Sequence, residues 1–154
     1  MKRIKLLSLV LVSASLLLFG CSDDDNGSGS AGDFDHLAVY AVNSGSGDLS
    51  IEMSGDTQVN FCYEGEGCES VSGSAFMSVF EGGRMELDTS DIDGVAVGVT
   101  VQFEVTGGEG YVEVVSGEAY MDDGWLEFDE GSVVYTSDAF SDGDTVTFSW
   151  GDTD

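Results

Sequence analysis

Val95, Val97, Val99, Val101, Phe103 and Val105 alternate with Ala96, Gly98, Thr100, Gln102 and Glu104. Side chains of an extended chain point to opposite faces in turn, so this period of two commits the segment to a strand with one apolar face. Such a strand is not stable alone in water; it needs sheet neighbours and a second layer to cover it. The other face begins small and ends polar, which predicts a strand that starts in a covered region and emerges toward solvent. The same alternation runs through Leu49, Ile51 and Met53 against Ser50 and Glu52, and through Val59, Phe61 and Tyr63 against Asn60 and Cys62. Further strands are expected over 37–42, 75–80, 85–87, 111–115, 118–121, 125–128, 133–136 and 145–150.

Turn chemistry separates these runs: Ser44-Gly45-Ser46-Gly47, Ser54-Gly55-Asp56, Glu81-Gly82-Gly83, Thr106-Gly107-Gly108 and Asp122-Asp123-Gly124. Glycine supplies positive φ and aspartate satisfies local backbone donors, as hairpin turns require. No helical stripe of useful length follows residue 33, and the chain has no proline, so sheet edges must be kept from pairing by charge. The pattern predicts an all-β chain with a single antiparallel β-sandwich domain over residues 34–154. A domain of about 120 residues buries roughly two thirds of its unfolded surface, which suffices for one core.

The start of the chain is different. Lys2, Arg3 and Lys5 precede an apolar run over 6–19 interrupted only by serines, and the run ends in Leu18-Phe19-Gly20-Cys21. A charged segment followed by a short apolar one is the layout of a secretory signal, and the run is shorter than the roughly 20 residues that span a bilayer. With Leu18, Gly20 and Cys21 it resembles the lipobox of bacterial lipoprotein precursors, Phe19 standing where those carry a small or aliphatic residue. The resemblance implies that residues 1–20 are a signal peptide, that cleavage falls before Cys21, and that Cys21 carries lipid and holds the protein to a membrane. Residues 21–33 are then the lipidated cysteine and an Asp/Gly/Ser linker, whose reach is roughly 18 Å. Ser22, rather than Asp, follows the cysteine, which by the same resemblance points to the outer membrane of the cell envelope. With Cys21 taken by lipid, Cys62 and Cys68 are left to form a disulfide in an oxidising compartment, closing a ring too short to contribute more than about 2 kcal/mol. As a zinc site that pair lacks both a second pair and a neighbouring histidine.

All 30 acidic residues follow Cys21, and Arg84 is the only base among them, a formal excess of 29 negative charges. Such a field repels nucleic acid and anionic lipid surfaces, and leaves cations, cationic peptides and neutral glycans as partners. A surface built for a saline habitat would carry the same signature.

Catalytic patterns are scarce. His36 is the single histidine and no serine sits in a G-x-S-x-G elbow, so nucleophilic catalysis lacks its parts. A glycosidase needs only two carboxylates about 5–9.5 Å apart, but thirty acids make close pairs by chance. No enzyme is expected. Calcium is better motivated, because hard cations take oxygen ligands from acidic loops. Thr89-Ser90-Asp91-Ile92-Asp93-Gly94 places acids and glycine like part of an EF-hand loop but lacks the first and twelfth ligands. An irregular calcium site would draw on Asp88, Asp91 and Asp93, with Asp122 and Asp123, or Asp142 and Asp144, as others; the competing role for each is to shape a turn. No cofactor is required. Gly143 to Phe148 resembles a strand of cupredoxins and other secreted sandwiches, but copper would need two histidines and a thiolate. Trp150 shares its face with Val146 and Phe148 and is expected in the core, whereas Trp125 shares a face with Glu127 and Asp129, the pattern of an exposed platform for a glycan or protein ligand. Arg84, beside Glu81 and Glu86, reads as a local charge partner. The expectation is a lipid-anchored acidic envelope protein acting as a non-enzymatic binding or structural module, with a calcium-dependent adhesion module and a small glycoside-active enzyme as alternatives.

Overall fold

The computed structural model describes residues 36–54, 59–70 and 75–154. Cys21, the apolar run before it, the 21–33 linker and the 54–56 turn beyond Ser54 lie outside them. The described residues are all-β, with eleven strands: β1 His36–Asn43, β2 Leu49–Met53, β3 Val59–Tyr63, β4 Gly67–Ser70, β5 Ala75–Val79, β6 Arg84–Thr89, β7 Ala96–Gly107, β8 Glu109–Asp122, β9 Trp125–Thr136, β10 Phe140–Ser141 and β11 Thr145–Gly151. They form the expected antiparallel β-sandwich. One sheet runs β6-β1-β8, with β9 and the short β10 sharing the far edge of β8. The other is built on β7, which pairs β11 along one edge and β3 and β2 in succession along the other, with β4 beyond β3 and β5 beyond β2.

The core lies between the sheets, where the period of two sends the apolar faces. Val99, Val101, Phe103 and Val105 of β7 meet Leu37, Val39 and Ala41 of β1 and Val112 and Val114 of β8. Phe103 is fully buried and meets Phe140 edge to face, ring centroids 5.4 Å apart. Tyr135 of β9 and Phe148 of β11 stack at 5.0 Å, joining the two sheets along one side. Trp150 is half-buried and packs against the same core.

Three expectations change. The apolar face of β7 does not extend to its start: Val95 is exposed and Val97 half-buried, while Ala96 and Gly98 are buried. The chain's last segment covers Gly98, the Asp152 backbone lying so close that a β-carbon there would collide with the Asp152 carbonyl oxygen. The runs at 111–115 and 118–121 are one strand, β8, and those at 125–128 and 133–136 are one strand, β9. Two bulges, at Gly131 and Val134, absorb what looked like breaks in β9. Two short strands, β4 and β10, carry no periodic signal of their own.

Cys62 and Cys68 face each other across β3 and β4 and are joined as a disulfide. The intervening turn is closed by the Glu66 N–H donating to the Tyr63 carbonyl at 3.2 Å. Asn43, buried at the end of β1, fastens the next connection: its Nδ2 donates to the carbonyls of Gly47 and Val79, and its Oδ1 accepts from the Gly45 N–H.

Candidate functional site

Strands β8 and β9 form a hairpin whose outer part leaves the sandwich. The pairing of β8 with β1 ends at Gly117 opposite His36, whereas the pairing of β8 with β9 continues to Asp122 opposite Trp125. From Glu118 to Asp129 the described residues therefore form a two-stranded ribbon. Its two-residue turn has Asp123 at φ 48° and Gly124 at φ 87°. Positive φ at both central positions is the type I′ turn that matches the right-handed strand twist, and Asp-Gly is among the few pairs that tolerate it.

Residues directly opposite in an antiparallel pair share a face. Tyr120 stands opposite Glu127 and Asp122 opposite Trp125, so Glu118, Tyr120, Asp122, Trp125, Glu127 and Asp129 occupy one face. Trp125 is 74% exposed and Tyr120 41%. The negative charge of Asp129, and after it those of Glu127, Asp122 and Glu118, pushes the Tyr120 phenol above its ordinary pKa. This face is two aromatic rings set among four carboxylates. An aromatic surface of this kind stacks on sugar rings or planar groups, and the acids around it accept hydrogen bonds from hydroxyls or attract cations.

Met121 and Leu126, opposite each other, take the other face of the ribbon with Ala119 and Phe128. Phe128 anchors the base of the ribbon against Ala38, Tyr40 and Val115, a small buried cluster apart from the main core. Met121 and Leu126 instead border an open depression of about 490 Å³ with Tyr63, Glu69, Thr89, Asp91, Ile92 and Asp93. The Asp91 N–H donates to the Tyr63 hydroxyl at 3.0 Å. Burial, followed by the fields of Asp91, Glu69 and Asp88, raises the Tyr63 phenol above its ordinary pKa, the Asp91 backbone bond opposing them.

Arg84 does not pair with Glu81 or Glu86. Glu81 lies in the turn before β6 and Glu86 two positions further along it; the ion-pair partners come from across the sheet. Its guanidinium donates to both carboxylate oxygens of Glu130 on β9, lies 3.9 Å from a Glu113 oxygen on β8, and sits 4.4 Å above the Tyr40 ring on β1. The Arg84 bond holds the Glu130 carboxyl below its usual range. Burial, and then the hydrogen bond to Glu130, pushes the Tyr40 phenol up. This group ties β6, β1, β8 and β9 together on the outside of the sheet, at the root of the ribbon.

The other acids considered for calcium are placed as follows. Asp88 is half-buried on β6, where burial raises its carboxyl and its Oδ1 accepts from the Thr89 N–H at 2.9 Å. Asp91 and Asp93 are exposed on the loop beside the depression. Asp144 accepts from the Ser141 N–H and hydroxyl and so shapes the β10–β11 turn; Asp142 is exposed in the same turn. Asp122 and Asp123 lie at the hairpin tip. Among the described residues no three His, Cys, Asp or Glu side chains come together in a group able to hold a metal ion. Both ring nitrogens of His36 are buried without a hydrogen-bond partner among the described residues.

Compared with known proteins, the chain matches no family model, no curated protein and no solved structure. The residues that sequence reasoning missed are Met121 and Leu126, which become a surface only once the hairpin register is fixed. The Asp122-Asp123-Gly124 turn was the available signal for that register.

Proposed function

We propose that the chain is a non-enzymatic binding module of a bacterial envelope, held to the outer membrane through lipid on Cys21, that presents the Trp125 face of the β8–β9 ribbon to a glycan or protein ligand. The observation that carries this reading is the 74% exposure of Trp125 at the tip of a ribbon with no sheet neighbour of its own among the described residues. A large aromatic left in water forgoes the roughly 1.5–3 kcal/mol that burying a large apolar side chain contributes. Interfaces recover that energy, and tryptophan is among the residues enriched at their energetic centre. The acids around it suit hydroxyl-rich or cationic ligands and disfavour anionic ones.

The anchor and the binding face are tested separately. Mass spectrometry of the membrane-associated protein is expected to find lipid on Cys21, and Cys21→Ser to release the protein from membranes. On an array of neutral and charged envelope polysaccharides, the full chain is expected to bind members of the neutral or cationic classes, with Trp125→Ala losing at least tenfold in affinity. Binding unchanged by Trp125→Ala would overturn the reading of this face, and an unmodified Cys21 would overturn the anchor.

A further inference from the structure

The depression on the opposite side of the ribbon is a second site with a different chemistry. Its volume, about 490 Å³, lies within the roughly 300–1,000 Å³ typical of small-molecule sites. Tyr63, Ile92, Met121 and Leu126 give it apolar walls, and Glu69, Asp91 and Asp93 give it an acidic rim; among the described residues no lining residue is basic. Two features show that the walls are built for this shape. Tyr63 is held by the Asp91 N–H on its hydroxyl, and it packs on Gly94 so closely that a β-carbon there would meet its Cδ1 at 2.7 Å. Thr89, only 9% exposed, lines the depression with its Oγ1 buried and without a partner among the described residues. Leaving a buried hydroxyl unpaired is unfavourable, and Thr89 is the lining residue that carries such a group.

The charge complement follows from the lining. Three rim carboxylates repel an anion, and a neutral apolar ligand leaves them unpaired over its own surface. A ligand that satisfies both parts has an apolar body and a positively charged group rich in N–H donors. We propose that this depression binds an organic ammonium ion carrying an apolar chain, with its chain on Ile92, Met121 and Leu126 and its N–H donors directed to Glu69, Asp91 and Asp93. The proposal is independent of the Trp125 face, which lies on the other side of the ribbon.

The test uses n-octylammonium as probe, with n-octanol and n-octyl sulfate as neutral and anionic comparators below their micelle concentrations. Binding to the full chain labelled at its methionine methyl groups is followed by NMR, the Met121 signal being assigned by loss in Met121→Leu. Saturable movement of the Met121 signal with octylammonium, affinity at least fivefold above that for octanol, and no movement with octyl sulfate are expected. Asp91→Asn with Asp93→Asn should lower octylammonium affinity about tenfold, whereas Glu52→Gln with Glu104→Gln, which removes two charges elsewhere, should leave it within twofold. Met121→Lys, which places a cation in the depression from the protein itself, should abolish binding in a chain whose strand signals are otherwise intact. Trp125→Ala should leave it unchanged. Equal affinity for octanol and octylammonium, or equal losses from the two charge-removing pairs, would overturn the proposal, because the negative field would then be general. Loss on Trp125→Ala would also overturn it, by moving the probe to the other face; failure of either kind leaves the polysaccharide result standing on its own.

Discussion

Strands β7 and β9 have the same length, twelve residues, and the same number of apolar side chains, six apiece when glycine is left aside. One is the centre of a sheet and the other is nearly all exposed. The order of the residues makes the difference. In β7 apolar and polar positions alternate, so from Val99 onward every apolar side chain falls on the face that meets the core. In β9 they come as neighbours, Trp125 with Leu126 and Val133 with Val134, and neighbours on a strand point to opposite faces. The one core takes in neither pair, and all four side chains are exposed. Spacing, more than apolar content, decides what is buried, and the leftover residues of the ribbon are the ones free to meet another molecule.

Mutations in the two regions should therefore separate cleanly. Phe103→Ala, in the body, is expected to cost about 3–5 kcal/mol of unfolding free energy because it empties a fully buried site; a denaturant midpoint measures it, and a loss near 1 kcal/mol would mean the core is looser than its burial indicates. Opening the disulfide with Cys62→Ser and Cys68→Ser should cost about 2 kcal/mol, the value for so short a ring, while the ribbon keeps its near-ultraviolet tryptophan signal. Glu130→Gln, at the junction of body and ribbon, is expected to cost about 0.5–1 kcal/mol at neutral pH, discounted because the pair is more than a third exposed. Its carboxyl is held below the usual range, so its contribution is present above the ordinary glutamate pKa and is lost as pH falls through the depressed one. The gap between wild type and Glu130→Gln should close on acidification; a gap that persisted would show that packing and not the ion pair joins the regions. Trp125→Ala, in the ribbon, should change stability by less than about 0.5 kcal/mol. Smallest of all, about 5 mM calcium against chelator should shift the melting temperature by less than about 1 °C, since mass action raises it only when the folded state holds the ion. A clear rise would support an acidic-loop site.

The β-sandwich and the Cys62–Cys68 bridge were legible because each rests on a local pattern: alternation for the strands, and an odd cysteine removed by the lipobox resemblance for the bridge. What escaped was non-local. That the small start of β7 is covered was legible, but not that the cover at Gly98 is Asp152, more than fifty residues later. Arg84 has acids close by in sequence, but a strand spaces them away from it and the sheet supplies others from β8 and β9. The depression draws on four separated segments, around Tyr63, Glu69, Thr89 to Asp93, and Met121 to Leu126, so no window of sequence contains it. Trp125 is the exception: its acidic company along one face was visible in the order of residues, and the ribbon leaves it exposed.

The tie between Arg84 and Glu130 has a practical side. Beyond Lys5 the chain offers a trypsin-type protease one bond, the one after Arg84, and the guanidinium such a protease must seize is already engaged by Glu130, Glu113 and Tyr40. Cleavage there requires β6 to leave β1 and give up that grip. When reclosing is fast, the rate of a single nick therefore counts how often this one edge strand stands open. The scarcity of basic residues turns an ordinary digestion into a gauge of local opening at the root of the ribbon.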